Sequence, residues 1–232
     1  RKPHNEIEIA YEVSRDGSLM EIEPPDHTRI KDVFHQTFTP KRARELSSKI
    51  HTLCNTLVDG LLERDKRQAD LIEDFAQTIP VTVIADLLGI PEPDRYNLVP
   101  WSRGIIGWFE PERTNEMELE AVRCAQEFMA YLKHLIPIKR QNPTDDLLCA
   151  MIAVHDYEPE RLREHELINT CILLLNAGHE AIVNVIGNGM YALLRHKEQW
   201  ENLKANPSLI PTAIEEMMRF DTPLQFFERF VL

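Results

Sequence analysis

The chain has 232 residues, 43% hydrophobic and 28% charged, which is enough to bury a core in one domain or two small ones. Its formal charge of −12, from 38 acidic against 26 basic side chains, argues against nucleic acid as a partner, since displacing phosphate counterions needs a positive surface. Cys54, Cys124, Cys149 and Cys171 lack metal-binding spacing and read as small buried hydrophobes in a reducing compartment, so a cytoplasmic location is expected.

Taken in chain order, the first twenty or so residues are polar and weakly periodic, ending in the turn signal Arg15-Asp16-Gly17-Ser18. Asp26, after Pro24-Pro25, is placed to cap a helix running to about Phe38. Thr39-Pro40 has the form of an N-cap followed by proline at the first helical position, and Leu46, Ile50, Leu53, Leu57 and Leu61 carry that helix towards Arg67. A second apolar-periodic stretch from Asp70 to Gly89 is interrupted at Pro80. Shorter helices are expected over 92–107 and 144–155, with a long one over 112–139. From Glu160 to Arg195 the pattern is apolar almost all round in its middle, as in a central buried helix. Asn206-Pro207 breaks the pattern, Leu209 to Phe220 forms one more helix, and only Gln225 to Leu232 has strand-like content. The class is all-α dominated with minor β, in a single domain over 1–232.

Leu167 to Leu194 has no Lys, Arg or Asp and is long enough to span a bilayer. It also carries four asparagines, His179 and Glu180, and an ionised Glu near its middle is costly in lipid. A helix inside a soluble protein fits better, and no membrane association is expected. Within this helix Ala177-Gly178-His179-Glu180 combines a mid-helix glycine, costing about 1 kcal/mol, with a carboxylate that burial penalises. Two readings stand. The small residues admit something flat against the backbone while Glu180 carries protons, or they serve a close helix crossing and Glu180 satisfies a neighbour. Zinc-hydrolase chemistry fails, because Val183 and Asn169 stand where second histidines would follow His179-Glu180 and His165-Glu166. No Gly-rich phosphate loop or nucleophile elbow is present.

The run Leu173-Leu174-Leu175-Asn176-Ala177-Gly178-His179-Glu180 closely resembles the oxygen-binding helix of bacterial cytochromes P450, heme-thiolate monooxygenases with the pattern A-G-x-(D/E)-T above the heme. The resemblance implies that Ala177 and Gly178 leave room over the iron and that Glu180 is the acid of the proton-delivery pair. Ala181 stands where the family has threonine, so the usual alcohol is absent. Glu216-Met217-Met218-Arg219 matches the family's E-x-x-R. That tetrad occurs seven times in the chain, and its position 36 residues after Glu180 selects this copy as a structural ion pair. Arg229 falls where the family has a propionate-binding arginine. Pro24-Pro25-Asp26-His27-Thr28-Arg29-Ile30-Lys31 resembles the P-P-x-H-x-x-x-R helix, with His27 matching and Lys31 replacing the arginine without its bidentate fork. Leu224, Gln225 and Phe226 would face substrate.

What the resemblance implies is a partial cytochrome P450 fold over Leu19 to Leu232, with heme as cofactor. The expected function is oxidation of a hydrophobic small molecule, with electrons from a ferredoxin or similar donor docking near the basic stretch Arg29, Lys31, Lys41, Arg42 and Arg44. The family's cysteine loop, F-G-x-G-x-H-x-C-x-G, has no counterpart in these 232 residues, so no metal ligand is assigned. The alternative is a non-catalytic, truncated helical remnant binding a partner or an apolar ligand.

Overall fold

The computed structural model describes residues 7, 10, 16–34, 38–65 and 68–225, without the side chains of Phe34 and Arg42. Nine α-helices are found among them: α1 Asp26–Phe34, α2 Pro40–Leu62, α3 Thr78–Leu87, α4 Leu98–Ile106, α5 Asn115–Gln141, α6 Leu147–Tyr157, α7 Glu164–Arg195, α8 Lys197–Ala205 and α9 Ile210–Phe220. No strand occurs among the described residues, and the strand-like segment after Gln225 lies outside them.

Two of the described helices start on a hydroxyl or carboxylate cap. The Thr114 hydroxyl accepts the Met117 N–H at 3.4 Å, and the Asp146 carboxylate accepts the Cys149 N–H at 2.8 Å, which places α5 and α6. The expected interruption at Pro80 does not occur. The chain makes a π turn over Ile72–Ala76, and Pro80 then falls in the first turn of α3, where a missing N–H costs nothing. α2 ends at Leu62, short of the expected Arg67, which lies outside the described residues.

The core is built where α4 lies along α5 and both meet α7. Trp101 stacks on Phe128 at 5.1 Å between ring centroids, with Tyr131 at 5.5 Å. The indole N–H of Trp101 donates to Glu127, and the Tyr131 hydroxyl donates to Asp94. Gly104 permits the approach of α4 to α5, since a Cβ there would lie 3.0 Å from Cys124 Cβ. α7 contacts α3, α4, α5, α6, α8 and α9 and is the one helix common to all these layers. Its first half is buried from Glu166 to Ile172. Its second half is open on one side, with Ile182, Tyr191 and Leu194 exposed, so the expected central buried helix is buried chiefly in its first half. α9 has no buried residue and exposes Ile210, Ile214 and Phe220.

A buried and a partly buried ion pair tie loops and helix ends to this frame. At the tight turn after α3, Gly89 has φ +61°, and a Cβ there would collide with Asp146 and Lys139, which pair at 2.6 Å and are nearly fully buried. At the start of α7, the Arg29 guanidinium donates to both carboxylate oxygens of Glu166 at 2.6 and 2.9 Å, and to Asp26 at 2.7 Å. Burial pushes the Glu166 carboxyl up, but the Arg29 hydrogen bonds and the Arg163 N–H outweigh it and hold the group below the usual carboxylate range. Arg29 is therefore a structural residue joining α1 to α7, and is withdrawn from the basic stretch expected to meet an acidic partner.

Replacing Arg29 with Met removes the main counter-charge of a carboxylate whose side chain is 3% exposed. The substitution should lower unfolding free energy by about 3 kcal/mol, measured by urea denaturation at pH 7, because Glu166 is left buried without its principal partner.

Candidate functional site

The middle of α7 distributes consecutive residues around the helix. At about 100° per residue, five residues cover every direction. Leu175, His179 and Val183 lie on the buried face. Ala177 is exposed and Ala181 half-buried, and their spacing of four puts both methyl groups on one open, uncharged face.

Gly178 points elsewhere. A Cβ built on it would lie 2.8 Å from Ile84 Cγ1 and closer still to Cδ1, so its small size serves the crossing of α7 with α3. Sequence resemblance assigns Gly178 to the space above a heme; the crossing with Ile84 is a sufficient physical reason for it. Gly189 behaves likewise against α9, where a Cβ would come within 2.6 Å of Met217 Sδ.

His179 is fully buried, and its Nδ1 shares a hydrogen bond of 2.9 Å with the Ser102 hydroxyl of α4, itself fully buried. Its Nε2 has no hydrogen-bond partner among the described residues. Burial, assisted by the Arg103 charge, lowers the imidazole to about 4, so the ring is neutral at physiological pH. Glu180, half-buried, lines a cavity of about 320 Å³ with Arg103, Ile106, Gly107, Glu110, Glu112 and Met117. The end of α4, the start of α5 and their connection thus face Glu180 across open space, with Arg103 as the cation among three acidic side chains.

The other expected site residues are less gathered. Glu216 and Arg219 form a bidentate pair, both bonds 2.7 Å, on an exposed face of α9. His27, half-buried, and Lys31, exposed, lie one turn apart on α1, whose neighbour is α6. Leu224 is exposed, and the Gln225 amide donates to Asp221 and to the Thr222 carbonyl. Phe226 and Arg229 lie outside the described residues. The four cysteines are free, two buried and two half-buried, and burial pushes the Cys124 thiol up to about 11 and raises that of Cys171. Ser102 and Arg103 carry no motif and were not singled out from sequence; the only hint is their place on the apolar-periodic segment of α4.

The residues present suit a porphyrin: Ala177 and Ala181 project nothing larger than a methyl group from the open side of α7, which leaves room for a large planar apolar group near the backbone with Glu180 at its border. Two measurements test this geometry. Gly178→Ala should destabilise the protein by about 2 kcal/mol through overpacking. In an Ile84→Ala background the same change should instead stabilise by up to about 1 kcal/mol, the helix propensity gain alone. Separately, His179 has its folded value depressed below the ordinary 6.5. The unfolded chain therefore takes up the proton first, and stability present above pH 6.5 is lost as pH falls towards 4, by about 3 kcal/mol. Denaturation midpoints between pH 7 and 4.5 should show this slope, and His179→Gln should flatten it.

No protein-family model matches the chain. It is 36% identical over 213 residues to cytochrome P450 CYP107DY1 of Priestia megaterium, covering 92% of this chain and 50% of that protein. It is 38% identical over 203 residues to the vitamin D(3) 25-hydroxylase of Pseudonocardia autotrophica, covering 88% of this chain and 48% of the hydroxylase. Among solved structures, P450BioI in complex with an acyl carrier protein ligated to hexadec-9Z-enoic acid superposes with a TM-score of 0.88 at 32% identity, covering 97% of this chain and 57% of that one. The chain spans about half the length of the curated relatives it matches. Over about nine-tenths of its length the chain is similar in sequence to bacterial cytochromes P450 and shares their fold.

Proposed function

We propose that this chain is part of a heme-dependent monooxygenase that oxidises a hydrophobic small molecule with dioxygen, using electrons from a ferredoxin or a similar donor. The observation that carries this reading is the middle turn of α7, where an uncharged methyl face at Ala177 and Ala181 adjoins Glu180 on a polar cavity. When bound, heme supplies the oxidation chemistry itself. The chain's own residues bind, orient and deliver protons. Ala177 and Ala181 offer the porphyrin a close approach to the backbone. Glu180 holds a proton at its carboxylate and passes it from the cavity side of α7 to the open side. Ala181 has no hydroxyl, so a substrate hydroxyl or ordered water completes that path.

His27, Lys31 and Arg229 supply the cationic and hydrogen-bonding groups that suit the two propionates. Glu216 and Arg219 brace α9, and Leu224, Gln225 and Phe226 contribute to the substrate side. The thiolate that would hold the iron is assigned to none of the four cysteines. The donor would meet the exposed cations Lys31, Lys41 and Arg44, Arg29 being held by Glu166. A cytoplasmic location belongs to the same reading: α7 alone is long and apolar enough to cross a membrane among the described residues, and it packs against six other helices.

The exposure of Glu216 and Arg219 favours a rival reading, a non-catalytic helical remnant that binds a partner or an apolar ligand. The absorption spectrum of the full-length protein, reduced and exposed to carbon monoxide, separates the two. A Soret band at the heme-thiolate position is expected. Failure of the full-length protein to take up heme would establish the remnant.

A further inference from the structure

Two pairs of consecutive residues meet where α4 crosses α7. Ser102 and His179 face each other in the core, both fully buried, joined by the 2.9 Å hydrogen bond. Their immediate successors, Arg103 and Glu180, line the same cavity. Because successive helical residues diverge by about 100°, fixing one residue of each helix against the other fixes where the next two point. Apolar packing alone holds such a crossing less specifically, since it tolerates sliding and repacking. A hydrogen bond between two groups with no access to water does not, because breaking it leaves two orphaned polar atoms. Elsewhere this crossing is close to apolar, with Leu98, Ile105 and Leu175 fully or almost fully buried around it.

We infer that the Ser102–His179 hydrogen bond is a positioning device for proton delivery, setting the register in which Glu180 and Arg103 share one cavity. The inference rests on the monooxygenase reading for the consequence it has on turnover, but its geometric content is independent of that reading. His179 touches neither cavity nor open face and acts only through Glu180. Its neutrality suits the task, since a protonated ring would repel the Arg103 guanidinium and would itself be unstable in that setting.

The test uses the full-length, heme-loaded protein with Ser102→Ala, Ser102→Thr, His179→Gln and Glu180→Gln. Glu180→Gln identifies the Glu180 carboxyl signal in the infrared difference spectrum. Ser102→Ala should shift that signal and lower product formed per reducing equivalent about 10-fold, within the ~100-fold that a 1 Å misplacement can cost. Ser102→Thr, which keeps the hydroxyl, should restore both, and His179→Gln should reproduce the Ser102→Ala shift. A heme-loaded Ser102→Ala protein with the Glu180 signal unmoved overturns the inference. So does loss of heme from both Ser102→Ala and His179→Gln, which would make the pair a stability clamp and nothing more. Unchanged coupling in Glu180→Gln instead overturns the role of Glu180 in proton delivery, and the infrared shift then still judges the positioning on its own.

Discussion

The crossing of α7 with α3 and α4 is the constraint on which the remaining geometry depends. At one level along the helix, Ile84 occupies the space a Cβ on Gly178 would need, and one residue later Ser102 holds His179. The first contact sets how near the helices come, and the second sets their rotation and register. Either alone leaves a degree of freedom. Close contact with α3 without the hydrogen bond permits sliding, while the bond to α4 without the glycine leaves the spacing of α7 and α3 unset. Together they determine where the other residues of that turn face, including the two alanines and the glutamate.

This gives a division of labour within a single helical turn. Ala177 and Ala181 are left to the open side, Gly178 meets α3, His179 meets α4, and Glu180 looks into the cavity beneath the start of α5. Of the two sequence readings of the small-residue run, the close helix crossing holds for Gly178. Gly178 answers to a helix crossing, and the alanines provide the uncovered surface. A carboxylate at the border between that surface and a polar cavity is where a proton-carrying group has access to both.

The helices were readable because their signals are local. Periodic leucines, Thr114 and Asp146 as caps, and Gly89 as a stop lie within a few residues of what they control. Pro80 misled for a physical reason: a proline breaks a helix only where its N–H is needed, and the π turn upstream moves it to a position where it is not. The partner of Arg29 is 137 residues away and that of Ser102 is 77 away, so neither pairing has a signature in the chain near either residue. Composition groups Arg29 with the neighbouring cations. Its place on α1, with Ile30 and Val33 on the inward side and Lys31 outward, would have been the better guide. Likewise E-x-x-R spacing predicts the Glu216–Arg219 contact correctly, but spacing within one helix says nothing of what covers it.

The turn after α3 shows how a local conformation becomes a long-range commitment. Gly89, Lys139 and Asp146 occupy one another's space: the absent side chain at 89 is the volume into which the ammonium and carboxylate fit. Backbone handedness at one position and charge at two others are thus a single inherited unit. Drift at any of the three would be tolerated only with matching replacements at the other two, and descendants of this chain should vary there jointly or not at all.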